Sequence, residues 1–448
     1  MAEADRDLRQ VHLALDLCLR VGELLLSNGA GAADVTATMR LLAEHFGLRR
    51  AEVDVTFTSL SMSWQREAGD PPAVMIRQVK LREIDYEDLT RVDHLVRDVL
   101  EDRLGLVEAR AQMARIVSSG HHRARWSVTV GWGVMCAAVS VFLGGGLVIS
   151  SIAFVAAACI DRMQLTMSRR RLPFFYQQVA GGAVATFFAV AATYLDLDID
   201  PSLVVTSNVI MLLAGIGFMG GLQDALSGFY ITAGARLTES LLATAGIIAG
   251  VSGGLGVGEL LEAGISRLEP GSASLETLPV VMAGSAVCAA AFAFSTYAPK
   301  RSLLPIAAIG GIATAFSQLV VTAQLGLTWG AGIAAFFIGL VAYAVAGRFR
   351  IPPLVVVVPA IVPMLPGLAI FRGLSLLSSP LPGSTSEGLL ALVTAAATAL
   401  ALASGVILGE YVAQPLKREA RRLENRLAGP RLVGPLRGRA RRSRRPVV

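Results

Sequence analysis

The stretch IPPLVVVVPAIVPMLPGLAIF, residues 351–371, decides the fold of this chain. It is apolar throughout, and at about 20 residues a helix of this kind can cross the hydrocarbon layer of a membrane. It also contains five prolines, and each proline in a helix interior removes a backbone hydrogen bond and clashes with the preceding turn. Broken helices at membrane depth occur where the backbone lines a cavity or is buried in protein. The stretch therefore predicts a discontinuous membrane span.

Similar apolar runs fill the chain after residue 125. Of the 448 residues, 54% are apolar and only 17% are charged, whereas about a quarter of the residues of a soluble protein carry charge. Runs long enough to span start near Trp126, Gly144, Val179, Leu203, Leu237, Leu278, Leu303, Thr328, Ile351 and Gly388. The sequence therefore predicts an all-α polytopic membrane protein with about ten transmembrane helices.

The ten runs divide into two groups of five, and short echoes connect the groups. GVMCAAVSVF at 133–142 resembles SAVCAAAFAF at 285–294, with Cys136 on Cys288. If two halves of five spans share one fold, the second must be inverted relative to the first, as in many secondary transporters. We expect membrane halves at 125–270 and 271–414, related as an inverted repeat.

The basic residues predict the orientation, because short cytoplasmic loops retain Lys and Arg. They fall in alternate loops, at Arg162, Arg169, Arg170, Arg171, Arg236, Lys300, Arg301, Arg348 and Arg350. An Arg-rich tail at 415–448 accounts for much of the net charge of +6. We expect a multi-pass protein of the cell membrane with both termini cytoplasmic, and a disordered tail near anionic lipid rather than nucleic acid.

A separate soluble domain is expected at residues 1–124, on the cytoplasmic side. Helical and alternating patterns predict a small α+β module of order ααββα, with helices at Asp7–Leu26, Ala32–Phe46 and Tyr86–Leu104 and strands at Val53–Leu60 and Pro72–Val79. Glycine at Ser27-Asn28-Gly29-Ala30-Gly31 ends the first helix. The four cysteines have no disulfide or metal-ligand spacing, so we expect all four to be buried, and no metal or cofactor.

The broken spans supply the candidate substrate pathway. A discontinuous helix exposes carbonyls and helix ends to a polar substrate, and glycine permits bending as well as close packing of helices. The candidates lie in the proline-rich span, in the matching span of the first half, and on one further helix: Ser207, Asn208, Gly217, Gln318, Pro359, Pro363, Pro366 and Gly367. A purely structural role in tight helix packing stays open for the glycines and prolines.

Charged side chains near the membrane supply candidates for proton coupling. Such groups are costly within spans and usually mark pathways or ion pairs. Asp224 is the first choice, because a buried carboxylate can take up and release a proton. Arg236 lies close enough in sequence to pair with Asp224 or with Glu239, so a structural ion pair is the alternative. Glu410, and Asp161 after the second span, are further candidates.

These motifs resemble the bacterial threonine/serine exporter family. The resemblance rests on Ser27-Asn28-Gly29-Ala30 after an apolar helix, on LPFFYQQ at 172–178, on the series from Asp224 to Glu239, on APKR at 298–301 and on VPAIVPMLPG at 358–367. It implies export of small amino acids, threonine and serine first, driven by the proton gradient. Two-subunit relatives imply the alternative of C4-dicarboxylates such as succinate. The partners are then the substrate, protons and membrane lipid.

Other classes of function remain open at this point. The strand serines Ser59, Ser61 and Ser63 allow a membrane-anchored hydrolase with no catalytic residues assigned, although residues 1–124 contain no Gly-x-Ser-x-Gly sequence. A channel or a sensor of a cytoplasmic ligand is a further alternative. A one-chain primary pump is disfavoured because the chain has no Walker A sequence. The sequence does not decide between a monomer and a homo-oligomer.

Overall fold

The computed structural model describes residues 2–67, 69–79, 84–121, 123–195, 200–212, 215–260, 277–377 and 383–427. The part before the membrane consists of α1 Ala2–Ser27, α2 Ala32–His45, β1 Glu52–Val55, β2 Ser59–Trp64, β3 Ala73–Gln78, α3 Tyr86–Leu100 and α4 Leu106–Ser118. The strands form an antiparallel sheet in the order β1-β2-β3. The helices and one face of the sheet share an apolar core that includes Leu15, Met39, Leu60, Met62 and Met113.

This part of the chain differs in two places from the expected order ααββα. The strand expected at Val53–Leu60 is two strands, because Thr56 turns the chain and donates from its amide to the carbonyl of Ser59, 2.8 Å away. The helix expected at Tyr86–Leu104 ends at Leu100, and a further helix, α4, follows. Asp102 adopts a left-handed conformation with φ of 58° between them. Local turn geometry causes both differences, and the spacing of apolar residues in the sequence does not encode it.

The remaining helices are long and apolar. They are α5 Arg125–Phe142, α6 Leu147–Arg169, α7 Phe174–Tyr194, α8 Pro201–Leu212, α9 Gly215–Leu226, α10 Tyr230–Leu260, α11 Leu278–Ser295, α12 Leu303–Thr322, α13 Leu327–Phe349, α14 Leu354–Ile361, α15 Gly367–Leu377 and α16 Ser384–Leu427. Within the described ranges, eight helices are long and apolar enough to cross a membrane. The pair α8 and α9, bent by 43°, would make a ninth span.

The proline-rich stretch 351–371 is discontinuous, as its sequence predicts. It forms α14, a 3₁₀ turn at Val362–Met364, and then α15. Neither piece is long enough to span alone, which is why the stretch does not join the eight continuous helices. The last helix, α16, continues to Leu427, into the tail at 415–448 that the sequence predicts to be disordered. The tail after it lies outside the described residues.

Helices with equivalent positions in the two groups of membrane helices, α5–α10 and α11–α16, pack in equivalent ways. In the first half α7 runs parallel to α10, because a Cβ on Gly182 would lie 2.7 Å from the carbonyl of Ile247 and one on Gly246 would lie 2.8 Å from that of Phe175. In the second half α13 runs parallel to α16, where Gly405 lies against Gly332 in the same manner. Glycine permits this close approach of two backbones. The third and fourth long helices of each group are thus side by side.

The first helices of the two groups, α5 and α11, pack against each other in opposite directions. Gly131 of α5 lies against Phe294, so that a Cβ there would be 3.0 Å from the ring, and Gly284 of α11 lies against Phe142 in the same way, 2.8 Å from its Cβ. Phe142 and Phe294 are the residues that the two sequence echoes align. The contact is therefore close to symmetric under exchange of the two helices.

The cysteines are all free thiols, and one of them contradicts the expected burial. Cys18, Cys136 and Cys288 are buried, whereas Cys159 is exposed on the outer surface of α6. An apolar sequence context does not distinguish the core from a surface that faces lipid, since both are apolar.

Candidate functional site

The candidate site lies where the hairpin of α9 and α10 meets the amino-terminal part of the chain. Gly228 turns the chain between the two helices with φ of +89°. Asp224 near the end of α9 and Arg236 in α10 then face each other, with 3.1 Å between Oδ2 and Nη1. Only 1% of Asp224 and 5% of Arg236 is exposed. The ion pair that the sequence allowed is therefore present and buried.

The loop between α1 and α2 completes this ion pair. The amide of Ala32, the first residue of α2, donates to Oδ1 of Asp224 at 2.8 Å. The Arg236 Nη2 donates to the carbonyl of Ala30 at 2.9 Å. Gly29, with φ of +89°, turns the chain after α1 so that α2 begins at the carboxylate. A helix begins with unpaired amides and a partial positive charge, which suits an anion.

The stability of this buried ion pair depends on the further hydrogen bonds that its two side chains make. A buried ion pair loses several kcal/mol of hydration per ion, and additional hydrogen bonds are needed to offset that loss. Asp224 and Arg236 each obtain such a bond from the loop. Removal of one partner of a buried pair costs about 3–5 kcal/mol, because the other charge remains uncompensated. The contact is therefore sensitive to the charge of Asp224.

Three further acidic residues surround the ion pair. Asp34, in the first turn of α2, lies on the other side of Gly31, whose Cβ would be 3.5 Å from Oδ1 of Asp224 and 3.9 Å from Oδ2 of Asp34. Burial, and then the negative charge of Asp224, raise the pKa of the Asp34 carboxyl. Asp34 is itself exposed to solvent, so it lies on the solvent side of the buried ion pair.

The two other acidic residues are both among the predicted candidates. Glu410 of α16 is half-buried and close enough to Asp34 for electrostatic repulsion. Glu239 of α10 is exposed and attracts Arg236. The structure thus brings Asp224, Arg236, Glu239 and Glu410 to one end of the bundle.

The amino-terminal part also contacts the second group of helices. The amide of Tyr86 donates to the carbonyl of Thr296 after α11, at 2.9 Å, and the His94 Nε2 donates to the carbonyl of Arg350 after α13, at 2.8 Å. His121, in the segment leading to α5, lies 3.0 Å from Oδ2 of Asp85 and stacks on Tyr297. This part of the chain therefore contacts both groups of helices at one end of the bundle.

The broken span of the first half contains an unsatisfied buried acceptor. Asn208 and Ser207 of α8 are fully buried. The Asn208 Nδ2 donates to the carbonyl of Val204 at 2.9 Å, and the Ser207 Oγ donates to the same carbonyl at 3.2 Å. Among the residues that the structure describes, the Asn208 Oδ1 has no hydrogen-bond partner. A buried acceptor without a donor costs about 1–3 kcal/mol, and a donor on a substrate would satisfy it.

The other pathway candidates lie along the two broken spans and on α12. Gly217 of α9 packs against α10, with Ser240 Oγ 2.7 Å from the position of a Cβ. Pro359 lies inside α14, Pro363 in the 3₁₀ turn, and Pro366 and Gly367 at the start of α15. Both broken spans contribute to one apolar cluster, which includes Met219 of α9 and Ile361 of α14. The Gln318 Nε2 of α12 has no hydrogen-bond partner in the described ranges.

Asp161 has a different environment from Asp224. Its Oδ1 accepts from Arg125 at 2.7 Å and its Oδ2 from Thr129, also at 2.7 Å. Both partners belong to α5, the neighbouring helix in the same half. Asp161 therefore joins α5 to α6.

Several residues of the site did not stand out in the sequence. Ala30 and Ala32 contribute only backbone groups, which no side-chain pattern reveals. Asp34 is one of many acidic residues near the amino terminus, and only the fold places it beside Asp224. Among the residues that the structure describes, no group of three or more His, Cys, Asp and Glu could hold a metal ion.

The fold and the site together define a class of protein. Long apolar helices, discontinuous spans and a buried ion pair at one end of the bundle are features of polytopic membrane transporters. Comparison with known proteins then gives the family.

The family model described as a putative threonine/serine exporter matches residues 16–258, and a second, described as threonine/serine exporter ThrE, matches residues 281–412. A probable threonine/serine exporter of Mycobacterium tuberculosis is 34% identical over 432 residues, which cover 93% of this chain and 80% of the relative. A threonine/serine exporter of Corynebacterium glutamicum is 34% identical over 425 residues, 93% of this chain and 85% of its own. No solved structure matches this chain.

The chain belongs to the threonine/serine exporter family. It is a multi-pass membrane transporter and not an enzyme, which removes the hydrolase alternative. The names of the relatives give no support to the alternative of C4-dicarboxylates.

Proposed function

We propose that this protein exports threonine and serine across the cell membrane and that the proton gradient drives the export. The observation that carries the proposal is the buried pair of Asp224 and Arg236 at the end of a broken span, in a chain whose relatives are named threonine/serine exporters. Charged groups buried at such positions usually mark transport pathways or proton relays.

The proposed architecture is an inverted repeat of two halves with five spans each, at 125–270 and 271–414. The parallel packing of α7 and α10 supports it, because the chain must cross back between two parallel spans, and α8 with α9 is the segment available for that crossing. The same argument applies to α14 and α15, between α13 and α16. The symmetric contact of α5 with α11 supports the inversion of one half relative to the other.

The proposed topology has both termini and the domain of residues 1–124 in the cytoplasm. This domain contacts the α9–α10 hairpin and the segments after α11 and α13. The distribution of Arg and Lys predicts that these same three segments lie inside. Two independent arguments, contact and charge, thus favour one orientation.

The proposed substrate contacts lie between the two broken spans. Threonine and serine carry an ammonium group and a hydroxyl group that both donate hydrogen bonds. In this proposal the unsatisfied Oδ1 of Asn208 accepts one of them. Backbone carbonyls freed at Pro359 and Pro363 are further acceptors, because proline leaves a carbonyl one turn earlier without its helical partner.

In the proposed coupling step, Asp224 carries the proton. Its carboxylate is buried and tied to Arg236 in the state described here. Proton uptake would neutralise Asp224, and proton release would restore the ion pair, so that proton entry and substrate exit alternate. Asp34 and Glu410 extend the line of carboxylates on the solvent side.

The test of the proposed function is efflux of labelled threonine from cells that make this protein, with serine and succinate in parallel, and with and without an uncoupler. Saturable threonine and serine efflux that collapses with the uncoupler is the expected result. Efflux that does not saturate would point to a channel, and succinate efflux alone would overturn the proposed substrate class.

A further inference from the structure

The amino-terminal domain contacts the two membrane halves through chemically different groups. Its contacts with the second half include bonds to backbone carbonyls, from Tyr86 to Thr296 and from His94 to Arg350. Its contacts with the first half centre on Asp224 and Arg236, to which the loop of residues 28–32 is bonded through Ala32 and Ala30. Of these contacts, those with the first half involve a carboxylate of the proposed transport pathway, Asp224.

The loop contact therefore responds to the charge of Asp224. A proton on Asp224 would leave the buried Arg236 without its counter-ion, and Ala32 would lose a charged acceptor. Hydrogen bonds to charged groups are about twice as strong as those between neutral groups. The bonds of Tyr86 and His94 lie on other segments and do not involve Asp224. Protonation should thus loosen the loop while the rest of the domain stays attached to the second half.

We propose that the loop of residues 28–32 is the inner gate of the transporter, and that Asp224 and Arg236 hold it shut. The inference rests on the proposed proton coupling and assigns the cytoplasmic domain its part in that cycle. The charged groups that face the ion pair are Asp34 of α2 and Glu239 of α10, and Glu410 of α16 lies beyond Asp34. Opening lets water and substrate pass from the exposed Asp34 to the buried ion pair.

The test is hydrogen–deuterium exchange of the full-length protein in lipid nanodiscs. In Asp224→Asn, exchange of the peptide that covers residues 28–36 should rise about tenfold or more over the wild type, since a factor of ten needs only 1.4 kcal/mol. Peptides of α3, which carries Tyr86 and His94, should exchange as in the wild type. The matched control is Asp161→Asn, which removes a buried charge of the same kind away from the domain and should leave both peptides unchanged.

Two results would overturn the gate. One is unchanged exchange at residues 28–36 in Asp224→Asn; the other is an equal rise throughout the domain, which means detachment and not a local gate. Should Asp224→Asn fail to fold, the wild type at lower pH, corrected for intrinsic exchange, gives the same readout. Because the measurement needs no substrate, it separates the two proposals: loosening of the loop without threonine efflux rejects the transport proposal alone, and efflux with an unresponsive loop rejects the gate alone.

Discussion

Oδ1 of Asp224 accepts a hydrogen bond of 2.8 Å from the amide of Ala32. One partner ends a broken membrane span and the other begins a helix of the amino-terminal domain. The bond therefore ties the proposed proton carrier directly to a part of the protein outside the membrane spans. A single protonation event can reach both the membrane and the domain through this contact.

Asp224→Asn should abolish gradient-driven threonine efflux and leave a folded protein. The amide oxygen of asparagine can still accept from Ala32, so the loop keeps an acceptor, but the side chain no longer binds a proton reversibly. Efflux from proteoliposomes with an imposed pH gradient should fall to that of vesicles without protein. Asp161→Asn is the control and should retain efflux. Full activity of Asp224→Asn would remove Asp224 from the coupling role.

Asn208→Ala should weaken substrate binding. A hydrogen bond to a charged donor such as the substrate ammonium contributes about 1.5–3 kcal/mol, so the KM for threonine should rise about 10- to 100-fold. Thr186→Ala serves as the control, because Thr186 is equally buried and donates to the carbonyl of Gly182 in its own helix. Equal KM values for the two variants would place the substrate elsewhere.

Asp34→Asn should stabilise the closed contact near neutral pH. The pKa of Asp34 is raised in the folded protein, first by burial and then by Asp224. Where a folded pKa is raised, the ionised group destabilises the fold above that pKa, and the penalty disappears as the pH falls below the ordinary value of about 3.9. Thermal unfolding of the purified protein should show a higher midpoint for Asp34→Asn at pH 7, with the difference shrinking at acidic pH. A lower midpoint at pH 7 would show that the Asp34 charge stabilises the contact.

Gly182→Leu should destabilise the first membrane half. A Cβ at this position would lie 2.7 Å from the carbonyl of Ile247 and 3.1 Å from the amide of Val251, and these backbone atoms cannot move aside easily. Overpacking of this kind costs about 1–3 kcal/mol. Gly253→Leu is the control, since nothing lies within 4 Å of its Cβ position. Denaturation in detergent should separate the variants, and equal midpoints would contradict the close packing of α7 on α10.

The sequence predicted those features that depend on composition and local chemistry. The prolines of residues 351–371 predicted a discontinuous helix, which the structure contains. The charges of Asp224 and Arg236 allowed an ion pair as one alternative, and the structure contains that pair. The alternation at Val53–Leu60 predicted one strand where there are two, because the turn at Thr56 has no glycine or proline to mark it.

Other features of the site depend on tertiary contacts that no local pattern specifies. Ala32 reaches Asp224 through a backbone amide, which carries no side-chain signature. The approach of Asp34 and Glu410 joins α2 to the last long helix of the chain. The sequence also does not show that Cys159 is exposed and Glu410 half-buried. Burial in a bundle depends on which face of a helix meets its neighbours.

The most direct test of proton-driven export is a simultaneous record of threonine and proton fluxes in proteoliposomes that contain the purified protein. With an imposed pH gradient, the wild type should move threonine against its own gradient while protons move the opposite way, and both fluxes should vanish together in Asp224→Asn. Threonine flux that ignores the pH gradient, or that persists in Asp224→Asn with its proton flux, would contradict the account.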